Sequence, residues 1–135
     1  MIYEMRLTLP KNTAREVPVI TDIEIHPGII RQVEVIFPAG CCGLVGVTLW
    51  LWERQLWPVN PDSFFSGDNA HLVCPEDLEI VDPPFVISAR GWNDDDTFEH
   101  RPIIRIQVTP FERDLSTLIG NLLNRSGGPP RGIGG

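Results

Sequence analysis

The sequence is poor in basic residues and in cysteine. Of its 135 residues, 11 are lysine or arginine and 18 are aspartate or glutamate, so the formal net charge is −7. This balance argues against a nucleic-acid-binding protein, because such proteins neutralise phosphates with an excess of basic side chains. The three cysteines are odd in number and include no Cys-x-x-Cys pair. A closed disulfide framework is therefore excluded, and we expect small buried thiols in a reducing compartment.

Long apolar runs and a secretion signal are also missing. The longest apolar stretch, residues 44–52, is about half the length that a membrane-spanning helix needs. The first ten residues lack the basic start and the apolar core of a signal peptide. We therefore expect a protein that neither enters a membrane nor is secreted through a signal peptide, and that resides in the cytosol where it is made.

Catalytic motifs are absent as well. The sequence contains no Gly-x-Ser-x-Gly elbow, no phosphate-binding loop and no dinucleotide fingerprint. His26, His71 and His100 are far apart in the chain, and none has a metal-binding partner three or four residues away. We predict that these histidines are surface or rim residues, that the protein is not an enzyme, and that it needs no cofactor.

What the sequence does contain is apolar alternation, most clearly in residues 29–52. Every second residue is apolar on both sides of a Pro-Ala-Gly-Cys-Cys-Gly segment, as in strands with one buried face. The buried positions predicted for the two arms are Val33, Val35, Phe37, Val45, Val47, Leu49 and Leu51. We expect the two arms to pair as a hairpin around which the rest of the sheet is built.

Further strands are predicted on both sides of this hairpin. They cover residues 3–9, 19–26, 55–57, 70–74, 78–81, 85–92 and 103–109. About eight short strands separated by proline and glycine turns indicate a mainly β protein. We expect residues 1–110 to form a single antiparallel β-sandwich, jelly-roll-like or otherwise, with a strand order that the pattern does not give.

The periodicity changes after residue 110. Leu115, Leu118, Ile119 and Leu122 follow the spacing of an amphipathic helix. Thr109 as N-cap and Pro110 at the first helical position mark its start, so we predict a C-terminal helix over residues 111–125 and a flexible tail over residues 126–135. The apolar stripe packs either on its own sheet or on a neighbouring subunit, and the second arrangement would make it the self-association surface.

One turn is rich in oxygen ligands. Asp94, Asp95, Asp96 and Glu99 fall between two predicted strands, and calcium prefers such carboxylates. The spacing does not match an EF-hand loop. A solvated turn whose side chains bond their own backbone is the alternative to a calcium site.

Four tryptophans form a second candidate site. Trp50 and Trp52 are two residues apart in one predicted strand, and Trp57 and Trp92 lie in others. An exposed aromatic face of this kind can stack on sugar rings. The alternative is that both faces of the strand are buried, one in the sandwich and one under a loop, the helix or another subunit.

Several segments together resemble a known group of proteins. They are Lys11-Asn12-Thr13, the segments HPGIIRQVEV from His26 and FPAGCCGLVGV from Phe37, LWPVNPD from Leu56 and GWNDDDTFEH from Gly91. As a set they resemble small proteins encoded among the virion genes of tailed bacteriophages and prophages, over roughly residues 9–110. The resemblance implies a structural β-sandwich protein, and it assigns no catalytic residue.

Besides a module stabilised by calcium at the acidic turn, two classes of function therefore remain open. The first is a non-enzymatic virion protein, a capsid decoration or cement protein or else a neck or tail accessory. It would form a homo-oligomer, a trimer for example, bind a major capsid or other virion protein, and reside in the virion after assembly in the host cytoplasm. The second is a carbohydrate-binding or host-attachment module that uses exposed tryptophans.

Overall fold

The computed structural model describes residues 1–111, and these form eight β-strands. The strands are β1 (Ile2–Arg6), β2 (Val19–Glu24), β3 (Gly28–Phe37), β4 (Val45–Leu51), β5 (Arg54–Trp57), β6 (Ala70–Ile80), β7 (Val86–Asn93) and β8 (Ile103–Pro110). No helix occurs among the described residues, and accordingly none there is long and apolar enough to cross a bilayer. The mainly β prediction is confirmed.

The strands form two four-stranded sheets. The first sheet has the order β1-β8-β3-β6 and the second the order β2-β7-β4-β5, with every neighbouring pair antiparallel. The prediction of an antiparallel, sandwich-like fold is therefore confirmed.

The core lies on one face of each sheet, as the alternation predicts. Met5, Leu7 and Leu9 near the N-terminus are buried, and so are alternate residues of β3 and β8. In β4 and at the end of β7 the residues between the core positions are buried as well, because loops cover the outer face there. The residues with no more than 1% exposure include Val33, Val35, Phe37, Val45, Val47, Leu49, Ile87, Ile104 and Ile106. These large side chains supply most of the hydrophobic stabilisation. Leu51, at the end of β4, is only half-buried.

The predicted pairing of β3 with β4 is wrong. β3 pairs with β6 and β8 in the first sheet, whereas β4 pairs with β5 and β7 in the second. The segment between them crosses from one sheet to the other, with positive φ angles at Gly40, Cys42 and Gly43. Alternation identifies the buried face of a strand but not its partner, which is why the prediction failed.

Two further boundaries differ from the prediction. Residues 70–80 form one long strand, β6, although two strands separated by Pro75 were predicted. Proline is tolerated there because β6 is an edge strand, so one side of its backbone has no partner strand. Thr109 and Pro110 belong to β8, opposite Ile29 and Gly28, so they do not begin a helix. The predicted helix and tail, residues 112 onward, lie outside the described residues.

Candidate binding site

A groove of about 540 Å³ lies on the outer face of the second sheet. Its floor comes from the two central strands, where Arg90 of β7 lies opposite Thr48 of β4 and Trp92 lies opposite Gly46. The same alternation that directs Val47, Leu49 and Ala89 into the core directs these residues outward. Residues 15–18 and 53–62 contribute the walls.

Arg90 and Trp50 stack on each other in the floor of the groove. The guanidinium carbon of Arg90 lies 3.9 Å from the centroid of the Trp50 ring, within the range of a cation–π contact. The Trp50 Nε1–H donates a hydrogen bond to Thr48 Oγ1 at 2.9 Å, which fixes the orientation of the indole. The Nε of Arg90 is buried and has no hydrogen-bond partner within residues 1–111.

Trp92 packs beside this pair under a second arginine. The Arg15 guanidinium lies 4.8 Å from the Trp92 ring and 4.9 Å from the Phe64 ring, and the two rings meet edge to face at 5.1 Å. The Trp92 ring occupies the space above Gly46, where an added Cβ would come within 2.2 Å of it. Glycine at this position therefore allows the indole to lie flat on the sheet, and Trp92 is only 5% exposed.

The walls of the groove are held by two polar side chains. The Gln55 side-chain amide donates to the backbone carbonyls of Pro58, Ser63 and Asn60 at 2.6, 3.0 and 3.3 Å, respectively. Arg15 Nη2 donates to the carbonyl of Asp62 at 3.0 Å and so joins the two walls. These contacts give the irregular segment between β5 and β6 a defined shape without regular secondary structure.

Charged side chains of both signs line the groove. Arg15, Arg54 and Arg90 contribute positive charge, and Glu16, Glu53 and Asp62 contribute negative charge. Within residues 1–111 neither Arg54 nor Arg90 forms an ion pair, and none of the three carboxylates accepts a hydrogen bond. The groove therefore combines an aromatic surface with unpaired donors and acceptors, which is the chemistry of a site for a polar ligand.

The four tryptophans do not form the single face that was predicted. Trp50 and Trp92 line the groove, but Trp57 is a core residue whose Nε1–H donates to Glu76 Oε1 at 2.9 Å. Trp52 lies beyond the end of β4 with a φ of 62° and is 70% exposed. The prediction assumed that β4 continues through Trp52, whereas the chain turns there towards β5.

Trp52 borders a second, mainly apolar groove of about 490 Å³. Leu51, Leu56 and Leu78 supply its apolar lining, and Glu53, Arg54 and Glu79 lie at its rim. Leu78 and Glu79 come from β6 of the first sheet, and the other lining residues come from β4, β5 and the turn between them in the second. The groove therefore opens between the two sheets at one end of the sandwich.

The carboxylates of the acidic turn do not come together. Asp95 is buried and accepts hydrogen bonds from His100 Nε2 and the Thr97 N–H, each at 2.8 Å. The His100 contact first, and then the backbone donors, lower the pKa of Asp95 below its ordinary value. Asp96 bonds Thr97 and Glu99 bonds Arg101. Within residues 1–111 no group of three or more acidic, histidine or cysteine side chains is placed to hold a metal ion.

The histidines and cysteines divide between surface and interior. His26 and His71 are exposed, whereas His100 is buried, and its ring donates a hydrogen bond to Asp95 there. Cys41 is buried, where desolvation raises the pKa of its thiol to about 11, whereas Cys42 is exposed and Cys74 half-buried. The prediction of buried thiols holds for Cys41 and is wrong for Cys42.

The predicted helical stripe, made of Leu115, Leu118, Ile119 and Leu122, lies outside the described residues.

Three residues of the groove were missed by the sequence analysis. Arg90 follows the alternation of β7 and could have been placed on the outer face with Trp92. Arg15 and Gln55 carry no local signal, because their contacts join segments that only the fold brings together.

In comparisons with known proteins, no family model matches the chain, and the search of curated proteins finds no match.

Proposed function

We propose that this protein is a non-enzymatic virion protein of a tailed phage or prophage that decorates a capsid by binding its protein lattice. The segments quoted above, such as HPGIIRQVEV and GWNDDDTFEH, support the virion class through their resemblance to such proteins. A neck or tail protein is the alternative partner within the same class. In this proposal the chain joins the virion in the host cytoplasm.

The strand order supports a jelly-roll interpretation of the sandwich. The pairs β4 with β5, β3 with β6, β2 with β7 and β1 with β8 are nested, so the chain traces one long antiparallel ribbon folded over into two sheets. Eight-stranded jelly rolls occur in viral capsid proteins and in lectins. This is an analogy of fold, and the choice of function depends on the surface.

The observation that carries the proposal is the exposed Trp52 beside an apolar groove. Tryptophan is enriched at the centres of protein interfaces, where its indole typically inserts into or borders an apolar pocket. Glu53 and Glu79 lie at the rim with no partner within residues 1–111, and the whole chain is acidic. The fitting occupant is an apolar side chain of another virion protein that is surrounded by basic residues.

The test is co-sedimentation of the purified protein with capsid shells and with tails of the phage or induced prophage that encodes it. We expect saturable binding to shells, and much weaker binding by Trp52→Ser. Phe98→Ser is the matched control, since Phe98 is 64% exposed but lies outside this groove. Failure to bind either shells or tails contradicts the function, whereas unchanged binding by Trp52→Ser contradicts only the role of this surface.

Self-association is the second part of the proposal. The stripe Leu115, Leu118, Ile119 and Leu122 is the expected contact between subunits of a homo-oligomer, a trimer for example. Light scattering across a dilution series gives the mass of the assembly. Leu118→Asp with Leu122→Asp should then dissociate it without unfolding the sandwich, and an unchanged mass would remove the stripe from the interface.

Carbohydrate binding is a second candidate function, and the groove over Trp50 favours it. An aromatic ring among unpaired polar side chains is suited to a sugar, whose ring has apolar C–H faces and hydroxyl edges. A glycan array with Trp50→Ala as the matched variant tests this function. An array without signal for the unmodified protein contradicts it and leaves the lattice-binding proposal unaffected.

A further inference from the structure

The guanidinium of Arg90 has no acceptor in the groove that it lines. No ion pair or hydrogen bond involves this side chain within residues 1–111, and its Nε is buried. Its guanidinium carbon lies 3.9 Å from the centroid of the Trp50 ring. A desolvated donor without an acceptor is costly, and the planar fork of arginine matches a carboxylate. Arg90 is therefore suited to an anionic group on a ligand.

The other charges of the groove restrict what that ligand is. Arg54 is a second arginine without an acceptor in the described residues, and Glu16, Glu53 and Asp62 are carboxylates without donors there. Ionised carboxylates only accept hydrogen bonds, so they would repel a simple anion and bind hydroxyl groups. The fitting ligand carries both a negative group and several hydroxyls.

The size of the groove and its apolar surface also fit a small polar ligand that contains a ring. Its volume of about 540 Å³ is in the ordinary range for small-molecule sites. Trp50 is half-buried and Val59 exposed, so both offer apolar contact to a ring. Gln55 and Arg15 hold the walls in place, which reduces the entropy cost of binding.

We propose that this groove binds an acidic saccharide whose sugar carboxylate pairs with Arg90. The sugar hydroxyls donate to the wall carboxylates, and a ring face contacts Trp50. This inference rests on the second candidate function and names its ligand class.

Titration calorimetry with matched sugars tests the inference. The probes are trigalacturonate, a hyaluronan tetrasaccharide and sialyllactose, each beside its neutral methyl ester. We expect at least one acid to bind about tenfold or more tightly than its ester, the effect of one charge-assisted pair.

Equal binding of acid and ester contradicts the pairing with Arg90 and leaves carbohydrate binding intact. The absence of binding by all six probes contradicts both. Acetate that binds as tightly as the best acid would show a site for simple anions only, which also overturns the proposal.

Variants of Arg90 supply the second readout. Arg90→Gln should lose the preference for the acid over its ester, while Arg101→Gln, an arginine outside the groove, should keep it. Arg90→Lys keeps the charge but not the planar fork, so it should lose part of the preference. A full preference in Arg90→Gln overturns the assignment. If that variant does not fold, the acid–ester comparison on the unmodified chain still decides the ligand class.

Discussion

The outer faces of the two sheets differ in how many of their charged side chains are paired. On the first sheet, Arg105 bonds Glu4 at 2.9 Å, Arg31 bonds Asp77 at 2.6 Å, and His71 bonds Glu34. On the second sheet, Arg54 and Arg90 have no ion-pair partner within residues 1–111. The first face thus pairs most of its charges, with Glu79 of β6 as an exception within residues 1–111, whereas the described part of the second face leaves two arginines unpaired around a groove.

Strand register explains the pairing on the first face. Glu4 of β1 and Glu34 of β3 both lie directly opposite Arg105 of β8, so opposite charges are neighbours across the strands. The hydrogen bond from Arg105 lowers the pKa of Glu4, and that from His71 lowers the pKa of Glu34. Side chains that are already paired are less available to a charged ligand. The outer face of the second sheet is therefore the better candidate for a binding site.

The largest expected effect comes from the packed part of the second face. Trp92→Ala should lower the free energy of unfolding by roughly 3–5 kcal/mol, because it leaves a cavity under Arg15 and Phe64. Trp52→Ala, which removes an exposed indole, should change it by less than about 0.5 kcal/mol. Urea denaturation measures both. Equal losses would mean that the groove floor is not a packed layer.

The buried hydrogen bond between Asp95 and His100 gives a pH-dependent effect. The contacts from His100 and from the Thr97 N–H hold the pKa of Asp95 below its ordinary 3.8, so Asp95 stabilises the fold above that pH. This stabilisation is lost as the pH falls through the lowered pKa. Asp95→Asn should therefore be less stable than the unmodified chain at pH 7.

Thermal denaturation from pH 7 to pH 2 measures this effect. The difference in stability between the two proteins should shrink below about pH 4, where Asp95 of the unfolded chain takes up a proton, and should disappear as the pH falls through the lowered pKa of folded Asp95. A difference that is independent of pH would show that the carboxylate charge plays no part.

Exposed charges test the comparison of the two faces directly. Arg105→Gln should lower stability by a small amount that decreases with added salt, because it removes a paired charge from the first face. Arg54→Gln should leave stability unchanged, since it removes an unpaired charge. A larger loss for Arg54→Gln would show that the second face also uses its charges for stability.

The smallest effect concerns thiol reactivity and not stability. Maleimide at pH 7.5 should label the exposed Cys42 first and the half-buried Cys74 more slowly. Cys41 should react last, because burial raises the pKa of its thiol to about 11 and leaves almost no thiolate. Mass spectrometry of the digested protein gives the order, and early labelling of Cys41 would mean that the connection between the sheets opens.

The positions of most strands and their buried faces could be predicted because both depend on local alternation, whereas β6 was predicted as two strands because of Pro75. Val33, Val35 and Phe37 are buried for the reason that the pattern states. The partners of the strands could not be predicted, since β3 and β4 carry similar patterns yet belong to different sheets. The same holds for the candidate site, where the position of Trp57 could not be predicted. Its indole is in the core because Trp57 of β5 lies opposite Leu49 of β4, a pairing that no local feature indicates.

The sequence by itself determined the β character of the chain, the inward faces of its strands and the charge balance. These properties follow from residue type and a period of two. Only the tertiary structure decided that Arg15, Trp50, Arg90 and Trp92 share one groove, and that Asp95 bonds His100 inside a turn. The physical reason is that these contacts join residues on different strands and loops, and their geometry exists only once the sheets have formed.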